Sequence, residues 1–472
     1  MVGTERGVTP PSVDFDSLVS LIQRYDRPGP RYTSYPTAVE FTDAFDETAY
    51  QRHLAEAATV DAPLSLYLHL PFCQERCSFC GCSVIITKKH DVAQHYLDYL
   101  HREIDMLAAA LGTRRRLVQY HWGGGTPTYL TPAEIAALHE RVTSHFEIEP
   151  GAEVAVEVDP RVTSVEQLAL MRSVGFNRLS MGVQDFTPVV QQAINRIQPE
   201  DLTRALFDQA RRLGYGSINI DLIYGLPFQT RESFAATLNA VISMRPDRVA
   251  VYSYAHVPWI RGNQKRIDPA DLPPAERKIE LFVEAMSRFE AAGYRQIGMD
   301  HFALPDDELS RASSEGRLHR NFMGYTTRPA PDMVAAGVSG IGDVRGAFTQ
   351  NTKKLSTYYQ AIDAGRFPIE RGYVLDADDR LRRHVITTLM CNFRVDIPSV
   401  ESQFGVRFAD YFAREVSELA EGAARDGFVH ATDGCIEVTP IGRMFVRNVA
   451  MVFDRHLREK AHDTRPVFSR TV

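Results

Sequence analysis

The sequence LSLYLHLPFCQERCSFCGC, residues 64–82, joins a short apolar run to four cysteines. The run LSLYLHL is typical of a buried strand. The loop after it holds Cys73, Cys77, Cys80 and Cys82 in the spacing C-x3-C-x2-C-x-C. The whole chain of 472 residues has only six cysteines, so four of them are clustered here. Clustered thiols in a chain with few cysteines indicate a metal or redox site rather than a disulfide framework.

The composition is that of a globular protein long enough for about three domains at ~150 residues each. Hydrophobic residues make up 44% and charged residues 24%, which excludes a disordered, collagenous or disulfide-scaffold chain. The net charge of −7 argues against a nucleic-acid partner. The start of the chain lacks a secretory signal, and no apolar run approaches the ~20 residues that span a bilayer. We therefore expect a cytoplasmic protein without a membrane span.

Strands and helices alternate from Ser65 onward. Six strand-then-helix units predict βαβ crossovers and a parallel sheet. Because a closed barrel needs eight such units, we predict an α/β fold with a partial (β/α)6 barrel. Chemistry in such folds lies at the carboxyl ends of the strands. Glu157, Gln184 and Asp221 stand in or just after three predicted strands, so we expect them at the reactive face.

Changes in pattern along the chain predict three regions. Residues 1–47 are rich in proline, and we expect an extended N-terminal arm that packs through its aromatic residues. Residues 48–300 form the predicted partial barrel. Residues 301–472 are expected to form a mostly α-helical, winged-helix-like cap with a small β-hairpin around Asp433.

The cysteine loop is compatible with three kinds of site. Three thiolates on one tight loop suit three corners of an iron–sulfur cluster, which leaves one iron open for a small molecule. Zinc prefers paired cysteines with a second distant pair, whereas Cys391 and Cys435 are isolated. A redox C-x2-C pair fits Cys77 and Cys80 but leaves Cys73 unexplained.

The cysteine spacing after the first strand of a six-unit barrel resembles the radical S-adenosylmethionine (SAM) superfamily. Within it, the chain is similar to the oxygen-independent coproporphyrinogen III oxidase family over nearly its whole length. The matching segments include RYTSYPT (31–37), HWGGGTPTYL (121–130), GFNRLSMGVQDF (175–186), INIDLIYGLP (218–227) and LHRNFMGYTT (318–327).

The resemblance implies the ligands and their roles. Cys73, Cys77 and Cys80 would hold a 4Fe–4S cluster, at which one electron cleaves SAM to a 5′-deoxyadenosyl radical. The resemblance implies two SAM molecules. The implied contacts of the first are Tyr67, Glu157 and Ile341, and those of the second are Phe79, Gln184, Arg196, Asp221 and Ala255. Gly124, Gly125 and Thr126 in the glycine-rich turn are also implied to line the SAM site. Cys82 would not bind the cluster but would matter for activity, and Cys82, Glu157 and Tyr67 are the implied catalytic residues.

The implied reaction is the oxidative decarboxylation of two propionate side chains of coproporphyrinogen III to vinyl groups, which gives protoporphyrinogen IX in anaerobic haem biosynthesis. The resemblance also implies a monomer with an electron donor such as flavodoxin or ferredoxin. Arg31 and Arg320 are candidates to bind the carboxylates of the tetrapyrrole.

Two alternatives on the same scaffold remain open. One is a haem-binding chaperone, against which RYTSYPT and the fourth cysteine argue. The other is a radical SAM methyltransferase or cyclopropane-forming enzyme. Met323 keeps this second alternative open, because the family commonly has glutamine at that position and a thioether donates no hydrogen bond.

Overall fold

The computed structural model describes residues 15–460 and 468–471 of the chain. Its strands are β1 (Leu64–Leu70), β2 (Phe72–Cys73), β3 (Ile85–Ile86), β4 (Arg116–Gly124), β5 (Glu147–Val158), β6 (Arg178–Gln184), β7 (Ser217–Tyr224), β8 (Arg248–Ser253), β9 (Arg295–Ile297), β10 (His301–Ala303), β11 (His319–Asn321), β12 (Gly324–Thr326), β13 (Met333–Ala336), β14 (Ile341–Val344), β15 (Ala347–Asn351), β16 (Ile369–Val374), β17 (Arg394–Asp396), β18 (Val429–Ala431) and β19 (Cys435–Val438).

The helices of the described residues are α1 (Phe15–Tyr25), α2 (Glu47–Ala58), α3 (Asp91–Leu111), α4 (Pro132–Thr143), α5 (Val165–Ser173), α6 (Pro188–Ala193), α7 (Glu200–Arg212), α8 (Arg231–Met244), α9 (Ala275–Ala291), α10 (Glu308–Ser314), α11 (Leu355–Asp363), α12 (Ala377–Asn392), α13 (Ile397–Phe404), α14 (Phe408–Tyr411), α15 (Ala413–Leu419), α16 (Val446–Met451) and α17 (Arg455–Glu459). None of these helices is both long and apolar enough to cross a membrane.

A parallel array of strands forms the centre of the molecule, in the order β1-β4-β5-β6-β7-β8. These are the six strands that the sequence predicted, and a helix follows each before the next begins. Most residues of β1 are buried, as expected where helices cover a parallel sheet. Capping boxes start three crossover helices, at Thr131 for α4, Ser164 for α5 and Thr230 for α8.

The sheet continues beyond residue 300, where the strand-then-helix alternation of the sequence stops. Strand β13 adds to β1 in parallel, and β14, β15 and β16 extend that edge in antiparallel pairs. Strands β10 and β9 extend the other edge, beyond β8, which gives twelve strands within the described residues. These added strands have only three to six residues, and most of them pair antiparallel, so they lack the regular strand-then-helix period that revealed the first six.

The described part of the arm packs against the C-terminal region. Tyr32 and Tyr35 are buried in an apolar core formed mainly by α12, α16 and neighbouring elements, and the Tyr32 hydroxyl donates to Asp454 at 2.8 Å. Arg447 donates from α16 to the Gly29 and Pro30 carbonyls. The hairpin expected around Asp433 is β18–β19, and β17 adds a third strand to it. The expectation of an extended arm was wrong for residues 15–25, which form helix α1, and residues 1–14 lie outside the described residues.

Candidate active site

A cavity of about 290 Å³ lies at the carboxyl ends of strands β1 and β4–β7. The sequence-predicted residues that line it are Cys73, Cys77, Phe79, Cys80, Cys82, Gly124, Gly125, Thr126, Glu157, Gln184, Arg196 and Asp221. Side chains that are far apart in the sequence thus meet at one face, because parallel strands deliver all their carboxyl ends to the same edge.

A hydrogen-bonding group lies close to the sulfur of each of the three predicted cluster cysteines. The Thr126 hydroxyl lies 3.5 Å from Cys73 Sγ, and the Cys82 N–H donates to Cys80 Sγ at 3.4 Å. Two arginines approach Cys77 Sγ. Hydrogen bonds to cysteine sulfurs are a usual feature of iron–sulfur sites.

The thiols differ in acidity. A hydrogen bond from Cys82 lowers the pKa of Cys80 to about 6. Burial raises the pKa of Cys73 to about 11. Because the thiolate is the ligand form, the predicted ligand Cys80 would need little further deprotonation, whereas Cys73 would lose its proton if a cationic centre bound.

The arrangement of the donors fits a cluster better than a single ion. Across residues 15–460 and 468–471, no group of three or more His, Cys, Asp or Glu side chains is arranged to hold one metal ion. A cubane cluster needs each thiolate on a separate iron, so its ligands need not converge on one point. Three thiols on the rim of a cavity, each with a hydrogen-bonding partner, meet that requirement.

The glycine-rich turn packs tightly against the protein itself. A Cβ atom at Gly124, where φ is +116°, would fall 2.5 Å from the His69 ring. A Cβ atom at Gly125 would lie 2.6 Å from the backbone of Pro71. The resemblance implies that these glycines contact SAM, and crowding by the first strand and its loop is a separate reason why larger residues are excluded there.

Two carboxylates of different acidity face the cavity. Burial favours the neutral form of Glu157, but hydrogen bonds from His121 and the Gly124 N–H outweigh it and lower its pKa. Burial raises the pKa of Asp221 to about 6, against the hydrogen bonds from Ser180 and Asn219. At neutral pH Glu157 is therefore a fixed negative charge, and Asp221 titrates just below neutrality.

Three other predicted residues do not line this cavity. The Tyr67 hydroxyl lies 3.1 Å from His69 Nδ1, and its ring stacks on His121. Ala255 is tied to the cysteine loop, because one amide group of Gln264 donates to the carbonyls of both Ala255 and Phe79. Ile341 lies in β14 against an apolar cluster that contains Phe41 and Phe348. The roles implied for these three residues remain predictions.

A second cavity of about 170 Å³ continues into the barrel and shares Glu157, Ser180, Asp221 and Tyr252 with the first. Met323 lines this inner cavity. The unusual residue that the sequence singled out therefore faces the interior of the barrel.

Sequence reasoning missed Asp159, Arg161 and Tyr252, which also line the first cavity, the one that contains the predicted cluster cysteines. Asp159 and Arg161 follow Glu157 in VEVDPR, and Tyr252 is near the end of the sixth parallel strand. The same rule that selected Glu157, a polar residue where a parallel strand ends, could have found all three.

The sequence of the chain matches known families along most of its length. Residues 67–241 match the radical SAM superfamily, and residues 375–445 match the HemN C-terminal domain. The oxygen-independent coproporphyrinogen III oxidase of Salmonella typhimurium is 47% identical over 460 residues, which are 98% of this chain and 99% of the relative. The chain belongs to the oxygen-independent coproporphyrinogen III oxidase family.

Other members of this family are also similar to the chain over most of its length. The family member from Escherichia coli K12 is also 47% identical over 98% of the chain, and that from Synechocystis is 41% identical over the same share. The solved structure described as coproporphyrinogen III oxidase (HemN) from Escherichia coli, a radical SAM enzyme, matches with a TM-score of 0.88 and 46% identity. That match covers 93% of this chain and 99% of the other. The resemblance and the α/β radical SAM fold predicted from the sequence are thus confirmed.

Proposed function

We propose that this protein catalyses the oxidative decarboxylation of coproporphyrinogen III to protoporphyrinogen IX in anaerobic haem biosynthesis. The proposal rests on one observation: the three-cysteine loop opens onto the barrel cavity in a chain 47% identical to such an oxidase over 98% of its length. The 4Fe–4S cluster and SAM that the superfamily uses supply the one-electron chemistry when bound. We propose two SAM molecules, in line with the two connected cavities.

The residues of the chain would bind and orient these groups. Cys73, Cys77 and Cys80 would hold the cluster. The charged carboxylate of Glu157 suits the ribose hydroxyls of a SAM molecule, and its bond to Gly124 keeps the glycine-rich turn in place at the same time. Asp221, deeper in the cavity, would accept from a second ribose.

Two arginines are suited to the propionate carboxylates of the tetrapyrrole. Arg31 of the arm donates to the Ser253 carbonyl, and Arg320 of β11 donates to the Arg31 carbonyl. Neither forms an ion pair with a carboxylate among the described residues, and Arg320 Nε is buried there without a hydrogen-bond partner. Their guanidinium groups lie over the rings of Tyr252 and Tyr325, which line the inner cavity. Both interact electrostatically with the buried Asp300, but neither forms an ion pair with it, so these cations beside the reactive cavity suit an anionic substrate.

An external electron donor such as flavodoxin or ferredoxin would dock over the cysteine loop. Asn263 donates to the carbonyls of Cys77, Ser78 and Cys80, so its segment is fixed directly onto that loop. The same segment exposes Trp259 and Ile260, at 55% and 53% of their surface. Exposed apolar side chains next to a redox centre favour a protein partner at this place. We propose a cytoplasmic monomer.

A second candidate is a radical SAM methyltransferase or cyclopropane-forming enzyme, which the position of Met323 in the inner cavity favours. One experiment separates the two candidates. The anaerobically reconstituted protein is incubated with coproporphyrinogen III, SAM and a reductant, and the products are analysed by mass spectrometry. We expect loss of two carboxyl groups and formation of two vinyl groups. SAM cleavage without any vinyl product would contradict the decarboxylase, and a methylated product would support the second candidate.

A further inference from the structure

Two guanidinium groups meet at the sulfur of Cys77. Arg161 Nη2 lies 3.7 Å and Arg196 Nη1 lies 3.8 Å from Cys77 Sγ. Within the described residues, the Thr126 hydroxyl contacts the sulfur of Cys73 and the Cys82 N–H donates to that of Cys80, and neither group carries a charge. In the described part of the chain, Cys77 is thus the one of the three cysteines whose sulfur has guanidinium groups in hydrogen-bonding contact, whereas Arg76 and Arg261 act on Cys80 through their charge alone.

Asp159 holds both arginines in this position. Its carboxylate accepts from Arg161 Nε at 3.0 Å and Nη2 at 2.7 Å, and from Arg196 Nη1 at 3.0 Å. The exposed fractions of the side chains are 11% for Asp159, 19% for Arg161 and 8% for Arg196. Two positive charges against one negative charge leave a net positive charge beside the sulfur, in a place where water screens it weakly.

The charge has a consequence for the cluster that the family uses. Reduction adds one negative charge to a cluster, so a nearby positive charge and hydrogen bonds to a ligating sulfur favour the reduced form. We propose that Arg161, oriented by Asp159, is a positioning residue that raises the reduction potential of the cluster through the sulfur of Cys77. This rests on the proposed cluster. Arg196 shares the effect, but it is also an implied SAM contact, so Arg161 is the residue to change.

The test is a redox titration of the reconstituted protein, followed by the electron paramagnetic resonance signal of the reduced cluster, without SAM or coproporphyrinogen III. We expect the midpoint of Arg161→Gln to shift to a more negative potential, and that of Arg161→Lys, which keeps the charge, to shift less. Arg172→Gln is the control, since it removes the same charge from a side chain that donates to the Gly214 carbonyl on the surface. Its midpoint should equal that of the wild type.

A midpoint of Arg161→Gln equal to that of Arg172→Gln, at wild-type iron content, would overturn the proposal. If Arg161→Gln fails to hold a cluster, the cluster content of Arg161→Lys distinguishes a role of the charge from a packing role. Retention of the cluster in the lysine variant supports a role of the charge, whereas loss in both folded variants shows a packing role and contradicts the proposal. Because no porphyrinogen is present, a failure here is distinct from failure of the proposed reaction.

Discussion

The carboxylate of Glu157 accepts a hydrogen bond from the backbone N–H of Gly124 at 3.0 Å, between the ends of two neighbouring parallel strands. The same carboxylate faces the cavity, and its other oxygen lies 3.5 Å from His121 Nε2. The glycine-rich turn and the acidic group of the site are therefore one unit. A change in the turn is expected to disturb the carboxylate as well.

The substitution Gly124→Ala tests the crowding at this turn. The φ of +116° at this position and the contact of the new Cβ with His69 both destabilise the folded variant. Gly175→Ala is the matched control, because φ there is +108° but nothing lies within 4 Å of the added Cβ. Backbone strain alone costs about 1–3 kcal/mol, so we expect a loss of that size for Gly175→Ala and a larger loss for Gly124→Ala. Denaturant unfolding measures the free energies, and equal losses would contradict the crowding.

Only the Gly124 variant should also lose affinity for SAM, measured by equilibrium dialysis of the reconstituted protein. Gly175 follows helix α5 and is not among the residues that line the cavity. A similar loss of SAM affinity in both variants would show that general destabilisation, rather than the turn, is responsible.

The cysteine assignments predict opposite results for neighbouring thiols. Cys77→Ser removes a predicted ligand and should abolish most of the bound iron and the visible absorption of the cluster. Cys82→Ser should retain the cluster, because the contribution of Cys82 to Cys80 includes its backbone N–H, which the substitution keeps. A full-occupancy cluster in Cys77→Ser would refute its role as a ligand.

A buried carboxylate outside the cavity predicts a dependence of stability on pH. Burial raises the pKa of Glu103 from 4.5 to about 7, although Tyr358, the Gly337 N–H and Asn351 donate to it. The folded protein thus keeps this proton to a higher pH than the unfolded chain. The contribution of Glu103 to the free energy of unfolding is fully present below pH 4.5 and is lost as pH rises through 7. For a pKa shift of this size, the loss is about 3 kcal/mol.

The substitution Glu103→Gln should flatten the fall in unfolding free energy between pH 4.5 and 7, whatever it does to the absolute stability. Asp98→Asn is the control, since Asp98 is exposed on the same helix α3. Urea unfolding at several pH values measures both slopes. An unchanged slope in the Glu103 variant would show that another group is responsible.

The proposed binding of propionate carboxylates by Arg320 predicts a defect in substrate binding when this residue is replaced. Arg320→Gln removes a charged hydrogen-bond donor, and such bonds are worth about 1.5–3 kcal/mol, so the KM for coproporphyrinogen III should rise roughly tenfold or more. Arg317→Gln is the control, because Arg317 is exposed and pairs with Glu315. SAM affinity should be unchanged in both variants. A KM equal to that of the control would remove Arg320 from the carboxylate site.

The proposed docking of an electron donor at Trp259 and Ile260 predicts an effect that depends on the reductant. Replacing Trp259 and Ile260 together by serine should slow reduction of the cluster by reduced flavodoxin several-fold. Reduction by dithionite, a small molecule that needs no docking surface, should keep its rate and serves as the internal control. Equal slowing with both reductants would show damage to the cysteine loop instead.

Particular elements show how far sequence reasoning reached. The six parallel strands were predictable, because buried strands alternate with amphipathic helices of clear period. Strands β13–β16 were not, because they are short and because β14, β15 and β16 pair antiparallel, outside the strand-then-helix pattern. In the site, Glu157 and Asp221 were found as polar residues in or just after predicted strands, whereas the same rule was not applied to Asp159 and Arg161.

The sequence by itself determined the family, the cysteine loop and the six strand-then-helix units of the parallel sheet. These depend on residue types at fixed spacing, and spacing along the chain is visible without a structure. Only the tertiary structure decided which groups contact the sulfur of Cys77 and where the arm packs. Arg196 is 119 positions from Cys77, and Tyr32 is 422 positions from Asp454. No local pattern specifies contacts over such separations, because the packing of the whole barrel and its cap brings those residues together.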